Sequence, residues 1–527
     1  MSWIKIELLP EPLLEFGSEF QCDDPKKGIE LGGFYSKNHG SHHSEIHYAL
    51  MGSKKNMELF TEWISGLGNR IVASEKIVKP ISNESSIDEG EISDAEQLDL
   101  FGTQILTDEE LAQDSVGVVF NKKLNPDFPG LTKDSCFETE FVHDELNKSR
   151  IREDEIEAIM KSKASKIEKA NQIIDLLRIG FKNLIENFST KPDICIVLLP
   201  SNVFKKLSSI PYGKTHINFR RKLKAELIAI SADIPIQIVL EDTIRETKSS
   251  LQDKSMIAWN FSVAQYYKTD AIPWSLTEID KNSCFIGISF HRLIDPEKSI
   301  MRSSVAQAFN REGRGLVFVG KPFEWDKKAT KVVAPHLTYD YAKNLVEDII
   351  NTYVIQNQGI KPNRVVVHKT TDFWNSTMNA DYCEVEGLKD GIIEVLGSGV
   401  DIDLVTIKNS QIKLMRENGK YPVIRGTYAE LEDHEAVLYT TGYIPYYETF
   451  PGMHMPQPKL VSLYEGETSI KNVCREIMAL TKMNFNNCNY YDSLPITLRF
   501  AQKVGEIIQY FPENEDFKPP NRYYFYM

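Results

Sequence analysis

Two short apolar segments, residues 284–290 (CFIGISF) and 363–373 (NRVVVHKTTDF), decide the fold of the C-terminal third of this chain. Both are rich in β-branched residues and are bounded by polar residues, a pattern typical of buried strands. The first predicted strand ends near Ser289 and the second near Thr370. An apolar segment at 315–320 and a helical pattern at 339–354 stand between them, so this region predicts an α/β unit.

Upstream of residue 284, predicted strands and helices alternate in a second α/β pattern. Strands are predicted at 193–200 and 234–242, and helices at 215–231 and 255–267. A long helical region at 149–188 leads into the first of these strands. This order favours a parallel, Rossmann-like sheet covered by helices. The predicted fold class is therefore α/β throughout.

Composition sets the broad class of the protein. The 527 residues are 42% hydrophobic and 10% aromatic, enough for several buried cores. No run of about 18 apolar residues predicts a membrane span. The N-terminal sequence does not match a secretory signal, so we expect a cytoplasmic protein without membrane contact. The seven cysteines lack CxxC spacing, which argues against both a disulfide framework and a zinc site.

Charge is distributed unevenly along the chain. The net charge is −14, but residues 82–114 hold eleven Asp or Glu residues and no Lys or Arg. We interpret this acidic segment as a solvated loop or insertion. Residues 201–225 hold seven Lys or Arg residues and no acid. Because local charge decides where phosphates bind, this basic region is a candidate anion site despite the acidic average.

A basic stripe in the region 201–225 is the best-defined candidate site. His216, Arg220 and Lys224 are spaced by four residues, so on the predicted helix 215–231 they would share one face. Gln237 falls on the next predicted strand and Lys268 at the end of the following helix. A basic stripe by itself is more often a solvated face, but these two additional polar residues favour an anion pocket.

The order of all these segments resembles that of Argonaute proteins. Residues 284–290, 363–373, 480–487 (LTKMNFNN) and 494–508 (LPITLRFAQKVGEII), followed by an aromatic C-terminus, resemble a PIWI domain of the RNase H-like fold. The preceding α/β region resembles a MID domain. The start of the chain is similar to that of short prokaryotic Argonautes, which lack separate N and PAZ domains. The resemblance implies an N-terminal region at 1–150 that packs on MID, a MID domain at 151–278 and a PIWI domain at 279–527.

The resemblance also implies roles for the basic residues. In Argonautes, a basic or aromatic residue, a lysine four positions later, a glutamine and a second lysine bind the 5′ phosphate of a guide strand. The matching residues here are Arg220, Lys224, Gln237 and Lys268, with His216 as a replacement or supplement for Arg220. The family further implies that the C-terminal carboxylate of Met527 reaches this pocket through a bound Mg²⁺.

The nuclease centre of the PIWI resemblance is degenerate. Active PIWI domains hold metal ions with carboxylates at positions that correspond to Ser289, Thr370 and Gln502, and with a glutamate near residues 335–339, where this chain has no acid. Hydroxyl and amide groups cannot replace carboxylates around two Mg²⁺ ions, so no cleavage is expected. The alternative is a guide-directed nuclease with an atypical metal site, for which Asp340 and Asp372 are the nearby carboxylates.

A short, inactive Argonaute implies partners. The family implies a small 5′-phosphorylated guide RNA, a complementary single-stranded DNA target, and a second protein with an APAZ region. That partner would carry a TIR or sirtuin-like NADase, or less often a nuclease, and act in defence against plasmids or phage as a heterodimer. An interaction scaffold that binds no nucleic acid is the competing hypothesis from a different class.

Overall fold

The structure is a computed structural model. It describes residues 4–74, 121–213, 215–245, 253–280, 282–292, 300–309, 313–325, 332, 334–417, 421–451, 455–511 and 517–527. The acidic segment 82–114 and Lys214 therefore lie outside the described residues. None of the helices in the described ranges is long and apolar enough to cross a membrane.

Within these ranges, the strands are β1 Lys5–Leu8, β2 Leu14–Glu15, β3 Gln21–Cys22, β4 Glu45–Gly52, β5 Glu140–Arg150, β6 Ile194–Leu199, β7 Ser209–Tyr212, β8 Thr215–Asn218, β9 Ile236–Leu240, β10 Ser275–Leu276, β11 Ser283–Arg292, β12 Ile300–Phe309, β13 Val317–Glu324, β14 Arg364–Lys369, β15 Asp401–Asn409, β16 Thr427–Glu432, β17 Glu435–Leu438 and β18 Lys459–Glu465. The α-helices are α1 Pro25–Gly32, α2 Lys54–Gly66, α3 Glu153–Lys161, α4 Lys166–Glu186, α5 Ser201–Leu207, α6 Phe219–Ile230, α7 Glu241–Arg245, α8 Lys254–Lys268, α9 Tyr339–Gln356, α10 Glu384–Leu396, α11 Ile470–Leu480 and α12 Ile496–Ile508.

A nine-stranded sheet organises the C-terminal half, in the order β1-β16-β17-β18-β15-β14-β11-β12-β13. At its centre β11, β14 and β15 run parallel, and the remaining pairs are antiparallel. The apolar residues of β14 are fully buried, as expected for a central parallel strand that is covered on both faces. The predicted strands at 284–290 and 363–373 and the predicted helix at 339–354 are confirmed.

A four-stranded parallel sheet, in the order β5-β4-β6-β9, organises the MID-like unit. The predicted Rossmann-like arrangement of strand and helix is therefore present. The predicted N-terminal region, 1–150, does not form a layer of its own. Its strands β4 and β5 lie in the MID-like sheet, and β1 pairs with β16 in the nine-stranded sheet. Backbone hydrogen bonds thus join this region to both α/β units.

Two helical predictions need correction. The region 149–188 contains two helices, α3 and α4, because Ser165 forms a capping box with Glu168 and starts a new helix there. The helix predicted at 215–231 begins only at Phe219. Residues 215–218 instead form β8, which pairs with β7 as a short hairpin. Asn218 then ends the hairpin, and its side chain caps α6 by accepting a hydrogen bond from the Arg221 amide.

Helix α12 joins the two α/β units. It crosses β11 so closely that a Cβ placed on Gly287 would lie 2.3 Å from the Thr497 carbonyl oxygen. On its other side, Glu506 forms a 2.6 Å ion pair with Arg221 of α6, and the Asn218 amide donates to the Tyr510 hydroxyl at 2.9 Å. One continuous apolar core runs through both units at this junction.

Candidate nucleic-acid interface

Helix α6 presents part of the predicted basic stripe. Phe219, Leu223 and Leu227 are fully buried and form the apolar face of this helix. His216 does not join the cationic face of the helix. It lies on β8 opposite Pro211 and is exposed, because the helix has not yet started at that residue. The prediction that His216, Arg220 and Lys224 share one helical face is therefore wrong for His216.

The structure brings Arg220, Gln237 and Lys268 together beside β9. The Lys268 ammonium donates to Gln237 Oε1, and Gln265 Nε2 donates to the same oxygen at 3.2 Å. Gln237 Nε2 and Arg220 Nη2 both donate to the Ile238 carbonyl oxygen, at 3.2 and 3.4 Å. Lys224, one helical turn after Arg220, is 7% exposed. We refer to Arg220, Lys224, Gln237 and Lys268 as the MID pocket.

Lys268 is a buried cation of the MID pocket. Lys268 is 1% exposed, and burial lowers the pKa of its ammonium to about 7, with a further contribution from the Arg220 guanidinium. Buried cations are normally paired with acids. Lys482 is paired with Glu11 at 2.8 Å and Lys369 with Glu384 at 2.5 Å. In the part of the chain that the structure describes, no carboxylate plays that role for Lys268, so the pocket fits an anion.

A divalent cation fits this pocket only together with an anion. Gln237 Oε1 already accepts two hydrogen bonds, so the MID pocket has no free oxygen ligand of its own among these side chains. Met527 follows the 3₁₀ turn Tyr523–Tyr526, which packs near α8 through Tyr524 and Tyr267, with ring centroids 6.2 Å apart. Phosphate oxygens and the Met527 carboxylate would have to supply the ligands for Mg²⁺.

The aromatic residues near the pocket belong to the core. Tyr266 is buried and stacks on Phe34 at 3.8 Å between centroids, and Trp274 is fully buried. Tyr523 is also fully buried and stacks on Phe500. These rings therefore stabilise the fold and are not available to stack on bases.

Two of the predicted degenerate nuclease positions lie next to each other in the nine-stranded sheet. Ile288 pairs with Lys369 in parallel register, so Ser289, inside β11, lies beside Thr370, the residue that follows β14. Gln502 is on α12, which packs over these strands. The described residues contain no group of three His, Cys, Asp or Glu side chains that could hold a metal ion. The side chains at this edge do not fit two Mg²⁺ ions.

The segment where a glutamate was expected, 335–339, is held in place by a different acid. Glu384 accepts from His336 Nδ1 at 3.1 Å and from the Leu337 amide at 3.1 Å, and it also pairs with Lys369. These groups are buried on the opposite face of β14 from Thr370. The two other acids considered are elsewhere: Asp340 is exposed at the start of α9, and Asp372 pairs with Lys408.

A second cationic site, which the sequence reasoning missed, lies at the same end of the sheet. Burial lowers the pKa of Lys459 to about 8, and the neighbouring Arg499 contributes to this shift. Lys459 Nζ donates to Asn409 Oδ1 at 2.7 Å. Lys459 stands on β18 and Arg499 on α12, 40 residues apart, so no local pattern links them. In the sequence, this site is indicated only by the position of Lys459 directly before the strand-like alternating segment 460–465.

The C-terminal 3₁₀ turn, Tyr523–Tyr526, contacts the helices that carry a cation of each site. The ring of Tyr524 lies 6.2 Å from that of Tyr267 in α8, and Tyr523 stacks on Phe500 in α12. Tyr267 directly precedes Lys268 of the MID pocket, and Phe500 directly follows Arg499. The turn therefore packs against both α8 and α12.

Comparisons with known proteins show what this chain is similar to. No protein-family model matches the sequence. The curated Argonaute protein of Aquifex aeolicus (strain VF5) is 22% identical over 279 residues, which cover 52% of this chain and 34% of that protein. The solved structure of Clostridium butyricum Argonaute, bound to a guide DNA (5′ deoxycytidine) and a 19-mer target DNA, matches with a TM-score of 0.58. The identity is 15%, over 97% of this chain and 54% of that one.

Marinitoga piezophila Argonaute, in complex with a 5′ OH guide RNA, matches with a TM-score of 0.54 and 13% identity over 99% of this chain and 59% of that one. The chain thus spans little more than half the length of these solved proteins. It has the mixed α/β fold of these Argonaute structures, which contain MID and RNase H-like PIWI domains, and about half of its sequence is similar to a curated Argonaute protein.

Proposed function

We propose that this chain binds a small guide strand by its 5′ phosphate and pairs it with a complementary strand without cutting it. The observation that carries the proposal is the buried Lys268 ammonium beside Arg220, with Gln237 as its described acceptor. A phosphate placed there would restore the pKa of Lys268 and form charge-assisted hydrogen bonds with both cations. Lys224, on the same helix as Arg220, would provide a third cation.

The guide backbone would run from the MID pocket towards Lys459 and Arg499. These two residues provide a second cationic position, and the C-terminal 3₁₀ turn packs against both α8, which carries Lys268, and α12, which carries Arg499. Phosphate contacts of this kind fix the path of the strand but do not read its sequence. Base pairing with the target would supply sequence recognition. Mg²⁺ bound between the 5′ phosphate and the Met527 carboxylate would neutralise their repulsion.

The chemistry of the side chains at Ser289, Thr370 and Gln502 supports the proposal that the target is not cut. Ser289, Thr370 and Gln502 offer hydroxyl and amide oxygens, which bind Mg²⁺ far more weakly than carboxylates. The competing nuclease function would require carboxylates from other positions. Asp340 is exposed on α9 and Asp372 is paired with Lys408, so neither supports that alternative.

The guide and target types are proposed from the resemblance to short Argonautes. One similar structure holds a guide DNA and another a guide RNA, so the fold is compatible with both. We propose an RNA guide with a 5′ phosphate and a single-stranded DNA target. A protein of this kind needs another chain to produce an output. We therefore propose a heterodimer with an APAZ-containing effector of the TIR or sirtuin-like type, which acts in defence against plasmids or phage.

The first test is to identify the nucleic acid that purifies with the protein. We expect strands of about 15–25 nucleotides with 5′ phosphates, by resemblance to the family. Lys268→Met should lose most of them, while Lys254→Met, on the same helix but at its exposed start, should keep them. Absence of nucleic acid from the parent protein, together with no binding of synthetic guides, would favour the scaffold hypothesis.

Two further assays test the finer parts of the proposal. Incubation of guide-loaded protein with a matched target and Mg²⁺ or Mn²⁺ should leave the target intact; cleavage at a fixed distance from the guide 5′ end would establish the nuclease alternative. Copurification with the protein encoded next to this chain should yield a stable complex whose effector activity requires both guide and target. Effector activity from this chain without a partner would contradict the heterodimer.

A further inference from the structure

The ring of His291 lies at the sheet edge where the metal ions of an active PIWI domain would be expected. His291 follows Ser289 by two residues on β11, so both side chains point to the same face of the sheet. His291 Nε2 lies 2.9 Å from Ser289 Oγ and 3.1 Å from the Ala501 carbonyl oxygen of α12. The ring therefore lies in direct contact with both β11 and α12, the helix that carries Gln502.

Helix α12 has a glycine, Gly505, where it contacts this ring. A Cβ placed on Gly505 would lie 1.9 Å from two atoms of the His291 ring, Cδ2 and Nε2, so any other residue at 505 would overlap with it. Gly505 lies in the interior of an α-helix, where glycine is less favourable than alanine. The contact with His291 gives a physical reason for a glycine at this position.

Hydrogen bonding also shows that Nε2 is not a free ligand. A carbonyl oxygen can only accept a hydrogen bond, so the bond to Ala501 requires that Nε2 carries the proton. Nε2 is therefore unable to bind a metal ion or to act as a base towards Ser289. Burial lowers the pKa of His291 to about 4, so the ring is neutral at physiological pH and excludes a cation by its volume rather than by its charge.

We propose that His291 fills the former metal site, so that this sheet edge would not bind divalent cations even if its carboxylates were restored. The inference rests on the proposed non-cleaving function and adds a second structural cause for it. Its consequence is specific: Asp at positions 289, 370 and 502 is insufficient for metal binding, and removal of the His291 ring is required in addition.

The first experiment measures Mn²⁺ binding to the guide-free chain by electron paramagnetic resonance. The variants are Ser289→Asp/Thr370→Asp/Gln502→Asp, the same triple with His291→Ala, and the triple with His434→Ala as a control for removal of an exposed histidine. We expect the variant with His291→Ala to bind Mn²⁺ at least about tenfold more tightly than the other two. The proposal would be overturned if the triple variant bound Mn²⁺ as tightly with His291 as with His291→Ala. It would also be overturned if the triple variant with His291→Ala bound Mn²⁺ no more tightly than the parent chain.

The second experiment tests the packing without any metal. Gly505→Ala should lower the midpoint of thermal unfolding, because its Cβ overlaps with the ring. His291→Ala/Gly505→Ala should recover most of that loss relative to His291→Ala, because the ring is gone. A double variant no more stable than Gly505→Ala would overturn the inference. Neither experiment uses a guide, so failure of guide binding and failure of this inference are distinguishable.

Discussion

Guide binding should weaken as the pH rises above 7, because Lys268 begins to lose its proton there. Burial and the neighbouring Arg220 lower the pKa of Lys268 to about 7 in the guide-free protein. A bound phosphate stabilises the charged ammonium, so the pKa in the complex is higher. Above pH 7 the binding reaction must therefore take up a proton, and the affinity falls as protons become scarce.

The magnitude follows from this pKa. Between pH 7 and pH 8, the protonated fraction of Lys268 falls from about one half to about one tenth, which predicts a loss of about fivefold in affinity. Between pH 7 and pH 9, the predicted loss is about fiftyfold if the pKa in the complex exceeds 9. The guide phosphate contributes little to this change, since its second pKa is about 6.

Fluorescence anisotropy with a labelled 5′-phosphorylated guide, at constant ionic strength from pH 6.5 to 9, would measure this dependence. Lys268→Met should bind more weakly and lose most of the dependence between pH 7 and 8, keeping only the part that Lys459 contributes at higher pH, whereas Lys254→Met should follow the parent. A guide with a 5′ hydroxyl should also give a shallow profile. If the parent protein shows no loss of affinity above pH 7, or if Lys268→Met retains the same slope, the pocket assignment is refuted.

Three other predictions can be tested alongside. Lys224→Ala should weaken guide binding by about 1.5–3 kcal/mol, roughly ten- to hundredfold. Lys222→Ala should not weaken it, because Lys222 Nζ donates a hydrogen bond to Asn171 instead. Equal effects of the two substitutions in a filter-binding assay would contradict this prediction. Thermal unfolding of the guide-free protein should show that its stability rises between pH 7 and 9, since Lys268 binds a proton in the unfolded chain that it has lost in the folded protein. The same dependence of stability on pH in a Lys268→Met variant would argue against this prediction. Lys459→Met should reduce the slope of log affinity against log salt concentration by about 0.7, and an unchanged slope would remove Lys459 from the guide path.

The parts of the fold that were predicted correctly depend on local pattern. The apolar strands β11 and β14 and the helix α9 follow from runs of β-branched residues and from helical periodicity. The prediction for His216 was wrong because it placed Asn218 inside the helix, whereas Asn218 caps the helix and marks its start. Asn at that position is a start signal, and the helix should have been placed after it.

The site was only partly accessible to sequence reasoning for a related reason. Arg220, Gln237 and Lys268 were found because a known order of residues links them. The Lys459–Arg499 pair was not found, because a strand and a helix that are distant in sequence bring these residues together. The contact between His291 and Gly505 also depends on tertiary packing, and a glycine within an amphipathic helix is a weak signal unless the opposing strand is known.

The position of β1 has a consequence for the synthesis of this protein. Lys5 pairs with Glu430, and Glu11 accepts from Arg425 at 3.0 Å and from Lys482 at 2.8 Å. The first strand therefore has no partner until residues near 430 have left the ribosome. Such long-range pairing slows folding and leaves the backbone hydrogen-bonding groups of β1 unpaired in the growing chain. The carboxylate of Glu11 also lacks its two cationic partners until Lys482 has been synthesised, so the N-terminal segment should reach its native structure only after most of the C-terminal half has left the ribosome.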